Sequence, residues 1–327
     1  MVKETLVRVT NLTKYFPAKK GLFKRRQFLK AVDDVSFEIS KGDNLALVGE
    51  SGCGKTTTAR LILRILGPTA GSVYFAGKDL FNLSEEEMRL MRPQMQLVCQ
   101  DPYASLNPRK TIGQILSKPF KLHTDLPKEE IEDKALHLLE IVGLSPPELF
   151  VDRHPHEFSG GQRQRICIAR AIALNPSFVV ADEPVSALDV SVRAQILNLL
   201  KDLQARLAAT YLFITHDLAV VRSVCNRVAV MYLGKLVELG EVSTLFKAPL
   251  HPYTGALLSA TPIPDPQRSR SRERLILHGD VPSPIDPPPG CRFHTRCPLA
   301  VEKCRLSEPQ LTESEGRLVA CHLRNMK

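Results

Sequence analysis

The sequence predicts an α/β fold: a mostly parallel sheet flanked by helices, interrupted by a helical block and followed by a small Pro/Cys-rich C-terminal domain. Three observations carry this. Short apolar runs alternate with helix-like stretches, the pattern of parallel strands joined by helical crossovers. One such run, residues 45–48, leads into Gly49-Glu50-Ser51-Gly52-Cys53-Gly54-Lys55-Thr56, and a helix-like stretch over 57–66 follows. From Tyr103 to about Asn175 the pattern turns mostly helical before the apolar runs return.

Taken in order, residues 6–11 and 31–39 alternate apolar and polar side chains and read as strands. Residues 71–77 form a short strand between glycines, and Ser84 with Glu87 makes a capping box that opens a helix toward Met91. Residues 95–99 are another apolar strand. Within the helical block, 112–116, 128–142 and 161–174 read as helices. The core resumes after Pro176 with a buried strand at 178–181, a long helix at 190–207, a strand at 211–215 and a short helix at 218–224. Residues 228–232 and 236–239 form a hairpin. Pro262, Pro264 and Pro266 then exclude helix or central strand, Arg268, Arg270, Arg272 and Arg274 follow, and five prolines fall within 281–290. The expected domains are therefore 1–255 and 256–327, with a helical subdomain at about 103–175 inside the first.

Composition sets limits. The chain has 327 residues, 43% hydrophobic and 24% charged, which is ordinary for a globular protein and argues against disorder. No apolar run approaches the ~18 residues needed to cross a bilayer. Glu4 and Arg8 interrupt any signal-peptide core, so a cytoplasmic protein is expected. Much of the net charge of +9 sits in Lys19, Lys20, Lys24, Arg25, Arg26 and Lys30, which read as a solvated loop, a contact with lipid headgroups or a membrane partner, or a nucleic-acid contact. Of eight cysteines, Cys53, Cys99, Cys167 and Cys225 are scattered, whereas Cys291, Cys297, Cys304 and Cys321 cluster near the end. A cytosolic setting argues against disulfides among them.

The run from Gly49 to Thr56 fits the phosphate-loop pattern in the strand–loop–helix context that the chemistry needs. Glycines let backbone N–H groups turn toward phosphate oxygens, and the helix that follows points its positive end at the same anion. Lys55 would reach the β- and γ-phosphates, Thr56 would ligate Mg²⁺, and Thr57 lies beside them. After the apolar run at 178–181, Asp182 is placed to hold Mg²⁺ and Glu183 to act as a general base on water. Ser159-Gly160-Gly161-Gln162 stands at the start of a predicted helix. Alone it is a helix cap; beside a phosphate loop it is a second anion-binding helix end in one chain.

In this order and spacing, the phosphate loop, Ser159–Gln162 and Asp182-Glu183 resemble an ABC-type ATPase. The resemblance implies an ABC-type P-loop ATPase core with an antiparallel β subdomain and a helical subdomain. It also implies head-to-tail pairing with a second ABC ATPase subunit, paralogous or identical. Each nucleotide would lie between one phosphate loop and the partner's Ser-Gly-Gly-Gln. Residue by residue, Phe16 matches the aromatic that stacks on adenine, with Tyr15 as the neighbouring alternative. Gln100 matches the glutamine that senses Mg²⁺ and attacking water, Asp189 closes the loop that crosses the dimer, and His216 matches the γ-phosphate histidine. The implied catalytic set is Glu183, His216 and Gln100; the Mg²⁺ set is Thr56, Gln100 and Asp182. Phe158 stands where leucine is common and should not impair activity.

The tail narrows the resemblance. Residues 251–254, 279–284 and 287–298, with 100–108, resemble ATPases of oligopeptide/dipeptide importers, closest to the second ATPase of such systems. That implies two transmembrane permease subunits, an extracytoplasmic solute-binding protein, no nucleic acid, and a peripheral place on the cytoplasmic face of the membrane. A groove over 103–122 would receive the permeases. Nickel, glutathione and oligosaccharide importers share this tail; a soluble ABC ATPase acting on nucleic acid or ribosomes is the competing class. For Cys291, Cys297, Cys304 and Cys321 the resemblance implies a 4Fe-4S cluster. Their wide spacing suits one, while zinc or packed thiols are the alternatives.

Overall fold

The computed structural model describes residues 4–18, 27–261, 275, 277 and 279–324. The basic residues between 19 and 26, the prolines at 262–266 and the arginines at 268–274 lie outside the described residues. The chain divides into two compact units, Met1–Phe81 with Ile214–Lys327, and Asn82–Phe213.

The first unit begins with β1 (Thr5–Ala18) and β2 (Gln27–Ser40), paired antiparallel. Both run longer than their alternation predicts. Asn11 and Asp34 take left-handed backbone angles (φ 46° and 56°), and the register shifts between Val9 and Lys14. A bulge of this kind interrupts the apolar alternation without ending the strand, so pairing resumes as far as Ala18 with Gln27. Then come β3 (Asn44–Val48), α1 (Lys55–Ile62), β4 (Ala70–Phe75) and β5 (Lys78–Asp79). The order β2-β1-β4-β5 is an all-antiparallel sheet, the β subdomain that the resemblance implies.

The second unit holds α2 (Glu85–Met91), β6 (Met95–Val98), α3 (Pro102–Ser105), α4 (Ile112–His123), α5 (Lys128–Ile141), α6 (Gly160–Ile172), β7 (Phe178–Asp182) and α7 (Val190–Leu207). The Ser84–Glu87 capping box forms as predicted. β6 and β7 run parallel, Met95 opposite Phe178 and Val98 opposite Ala181. Every side chain of β7 is buried, as its unbroken apolar run requires.

The chain returns to the first unit within β8 (Thr210–Thr215) and continues with α8 (Leu218–Val224), β9 (Arg227–Tyr232) and β10 (Lys235–Glu241). β9 lies parallel to β3 and antiparallel to β10. The turn between β9 and β10 is Leu233-Gly234, both with positive φ, the two-residue geometry that matches strand twist. α9 (Val242–Lys247) and α10 (Pro252–Ala260) follow, then α11 (Glu302–Leu306), β11 (Thr312–Ser314) and β12 (Arg317–Val319).

Two features bear on the C-terminal region. The expected boundary at 255/256 falls inside α10, and β12 pairs with β10, Glu238 opposite Val319. Residues 279–324 thus pack in the same compact unit as the phosphate loop, and a separate C-terminal domain is not confirmed. Tyr232, Tyr253 and Phe293, from β9, α10 and the tail, are each fully buried and pack in tilted and edge-to-face pairs at ring-centroid distances of 4.7–5.4 Å. Each such aromatic pair adds about 0.5–1.5 kcal/mol beyond its burial.

Candidate active site

In the first unit, β3 delivers the chain to Gly49 and α1 carries it away from Gly54. Both glycines are required by close backbone approach. A Cβ on Gly49 would sit 2.1 Å from the Met231 carbonyl oxygen, and one on Gly54 would sit 2.1 Å from the Ala31 carbonyl oxygen. Gly54 caps α1 at φ 108°, with no side-chain cap and no acidic residue in the first turn. The helix N-terminus therefore keeps N–H donors and a positive end for an anion. Buried Lys55 reaches back along the loop, its Nζ donating to the Gly49 carbonyl at 2.8 Å and the Glu50 carbonyl at 3.1 Å. Thr56 and Thr57 follow on α1, half-buried. Cys53 is buried beneath the loop, and burial pushes its thiol pKa up, so it is an inert packing residue.

His216, exposed at the end of β8, shares a cleft of about 330 Å³ with Val48, Gly49, Glu50, Asp217 and Leu257. Phe16 is half-buried on β1 with the Lys14 ammonium 5.2 Å from its ring centroid. Tyr15 is tied down: its hydroxyl donates to Asp33 Oδ1 at 2.6 Å, and burial with that bond raises its pKa to about 12.

In the second unit, Asp182 is buried at the end of β7 and Glu183 follows with φ 44°. A non-glycine residue held there costs on the order of 1–3 kcal/mol and persists only where its surroundings enforce it. The enforcing contacts are local. Ser186 donates to the Glu183 carbonyl from both its N–H (3.3 Å) and its hydroxyl (3.2 Å). Gln100 Nε2 donates to Glu183 Oε2 at 3.1 Å, so two residues separated by the whole helical block are brought together. Asp189 caps α7 by accepting from the Val192 N–H and the Ser191 hydroxyl, and these bonds hold its pKa below the usual range.

Ser159 and Gln162 form a capping box at the start of α6: the Gln162 N–H donates to Ser159 Oγ at 3.3 Å, and the Ser159 N–H to Gln162 Oε1 at 3.0 Å. Cap and anion site are thus compatible. The cap uses a lone pair of Ser159 Oγ, and the hydroxyl proton stays available to donate. Gly160 lies 3.6 Å from Leu188 by a notional Cβ; at Gly161 a Cβ would meet Val192 at 2.5 Å, so α7 packs directly on the motif.

The four distal cysteines converge without making a metal site. Cys291 donates its N–H to the Cys304 carbonyl and packs with Cys297 against the Tyr253–Phe293 cluster. Burial first, then the charges of the other three, push the Cys291 pKa up to about 11; burial likewise raises Cys297 and Cys321. Among the described residues no group of three or more His, Cys, Asp or Glu side chains could hold a metal ion. The 4Fe-4S cluster implied by the resemblance is therefore unsupported.

Residues absent from the sequence-predicted site also touch the loop. The Glu50 N–H donates to the Tyr253 hydroxyl at 2.9 Å, and Arg296 grips the Glu50 carboxylate. His251 caps α10, its Nδ1 accepting from the Tyr253 N–H at 3.1 Å, and complete burial lowers its pKa to about 3. A base with a depressed folded-state pKa takes up a proton on unfolding at mild acidity. Stability should therefore fall as pH drops from about 6.5 toward about 3, by up to roughly 1.4 kcal/mol per pH unit. His251→Asn keeps a capping oxygen and removes this titration, so its unfolding midpoint should change less with pH over that window than the wild type's, as thermal denaturation across pH will show.

Comparison with known proteins accords with this geometry. Residues 32–186 match the ABC transporter family, and residues 237–304 match the oligopeptide/dipeptide transporter C-terminal region. The chain is 52% identical over 324 residues to the oligopeptide transport ATP-binding protein AppF of Bacillus subtilis, covering 98% of both chains. It is 50% identical over 320 residues to the dipeptide transport ATP-binding protein DppF of Escherichia coli, covering 98% of this chain and 95% of that one. Among solved structures, the dimeric post-hydrolysis state of the ATP-binding cassette MJ0796 bound to ADP and Pi matches with a TM-score of 0.64 at 30% identity, over 72% of this chain and 99% of that one. The chain therefore belongs to the ABC transporter ATP-binding proteins, in the group that carries the oligopeptide/dipeptide transporter C-terminal region.

Proposed function

We propose that this ATPase energises the uptake of dipeptides and oligopeptides through membrane subunits, hydrolysing MgATP at a site that a facing cassette completes. The observation that carries the reading is identity of about half, along essentially the whole chain, with oligopeptide and dipeptide transport ATP-binding proteins. Nothing found supports the nickel, glutathione, oligosaccharide or nucleic-acid readings.

The chemistry follows from the residues. Lys55 exchanges its carbonyl partners for phosphate oxygens, and the N–H groups at the start of α1 hold the same anion. Phe16 offers a ring face to adenine, with the backbone of Gly49, Glu50, Ser51, Gly52, Cys53 and Gly54, together with Thr57, shaping the phosphate cradle. Thr56, Asp182 and Gln100 would hold Mg²⁺, which would supply charge neutralisation for the β- and γ-phosphates. Glu183 takes the proton of the attacking water while Gln100 fixes its carboxylate, and His216 donates toward the γ-phosphate. Ser159, Gly160, Gly161 and Gln162 serve the nucleotide of the facing cassette, with Asp189 at the crossing loop. The dimer of the cassette MJ0796, bound to ADP and Pi, supports that pairing.

No helix among the described residues is long and apolar enough to cross a membrane. Two permease subunits would hold the chain at the cytoplasmic face, with a solute-binding protein on the other side. In cells lacking the gene, the wild-type chain should restore uptake of labelled dipeptides and Lys55→Ala should not. Restored uptake of nickel or glutathione, with peptide uptake unchanged, would overturn the peptide assignment.

A further inference from the structure

The first residue after Gly49 is held on three sides. Its N–H donates to the Tyr253 hydroxyl at 2.9 Å. Its carbonyl accepts from Lys55 Nζ at 3.1 Å. Its carboxylate takes a two-pronged grip from Arg296, Nη1 to Oε2 at 2.9 Å and Nη2 to Oε1 at 3.2 Å. Arg296 is 9% exposed and Glu50 28%, so the pair is largely desolvated.

The same tail segment secures the loop from behind. Arg292 bonds the Leu233 carbonyl and Asp33, and Gly234, next in that turn, donates its N–H to the Cys53 carbonyl at 2.9 Å. Between the two arginines, Phe293 is buried on Tyr232 and Tyr253. Residues 292–296 therefore bear on the loop directly at Glu50 and, through the turn at 233–234, at Cys53, and all of these groups lie in one compact unit.

Stability alone is a poor reason for this arrangement, because apolar side chains usually replace a buried ion pair at little cost. The position of the charge supplies a better one. Glu50 adjoins a loop built for a polyphosphate, and an uncompensated carboxylate there repels the ligand. We propose that Arg296 is a positioning residue for nucleotide binding: by pairing with Glu50 it cancels the carboxylate charge beside the backbone and the Lys55 ammonium that meet phosphate. The tail thereby sets the nucleotide affinity of its own cassette. This rests on the reading of residues 49–56 as the ATP site.

The test is MgATP affinity of the full chain, measured by equilibrium binding beside thermal unfolding, for four proteins. Wild type must bind MgATP; if it does not, the ATP site itself is misassigned. Arg296→Gln should weaken binding about tenfold, the scale of one lost charge compensation near a phosphate. Arg296→Lys keeps the charge without the fork and should fall between. Glu50→Gln combined with Arg296→Gln removes the charge that needs cancelling and should return within about threefold of wild type. Wild-type affinity in Arg296→Gln, or a double variant as weak as that single one, would overturn the proposal. If Arg296→Gln does not fold, the double variant decides: affinity within about threefold of wild type supports it, and a loss of about tenfold overturns it.

Discussion

Glu183→Gln is expected to lower ATP turnover on the order of a thousandfold while leaving MgATP affinity within about threefold. The substitution keeps size and hydrogen-bonding shape but removes the carboxylate proposed to accept the proton of water. The geometry makes the outcome specific. Glu183 is held at φ 44° by Ser186, and its Oε2 accepts from Gln100 Nε2. Glutamine can keep a bond to Gln100, so the substitution tests proton transfer and not the local turn. Single-turnover phosphate release beside nucleotide binding will separate the two. Undiminished hydrolysis would remove Glu183 from the chemistry.

The second large effect concerns two glycines two residues apart. Gly54→Ala should abolish nucleotide binding and destabilise the fold by roughly 3 kcal/mol or more, since its methyl would meet the Ala31 carbonyl oxygen at 2.1 Å and φ is 108°. Backbone on both sides of that clash cannot step aside without moving β2 or the start of α1. Gly52→Ala adds a methyl where nothing stands within 4 Å, so only its φ of 79° resists, a cost of about 1–2 kcal/mol. Thermal unfolding and MgATP binding should rank the variants wild type, Gly52→Ala, then Gly54→Ala. Equal behaviour would mean that close packing at Gly54 does not shape the loop.

The elements best foreseen from sequence are those with strong local signals. α7 and α8 start and stop where the apolar pattern puts them, and the structure adds the caps, Asp189 and Asp217. β3, the phosphate loop and α1 follow from one motif. α4 runs past residue 116 to His123 because Pro119 sits within the helix and does not end it. β1 outruns its alternation because a bulge hides the continuation. Among the described residues, the elements after 241 are short, at most nine residues, too brief for periodicity to declare itself. The site divides in the same way. Lys55, Glu183, Gln100 and Ser159 lie in recognisable runs. Arg296 meets Glu50 across 246 positions of sequence, and no local pattern encodes such a contact. For the cysteines, spacing suggests a ligand set, and among the described residues no such set is found.

The central claim is that residues 49–56 form half of a site whose other half is the Ser-Gly-Gly-Gln of a facing cassette. Ser159→Arg tests it most directly, because it fills the second half-site and leaves this chain's own Lys55, Glu183 and His216 untouched. In the chain assembled with its partners, hydrolysis should fall on the order of a hundredfold or more, the loss expected when donors to the transferring phosphate are removed, while MgATP affinity at Lys55 stays within about threefold. Full hydrolysis in Ser159→Arg would contradict the account, since the phosphate loop would then be a complete site by itself.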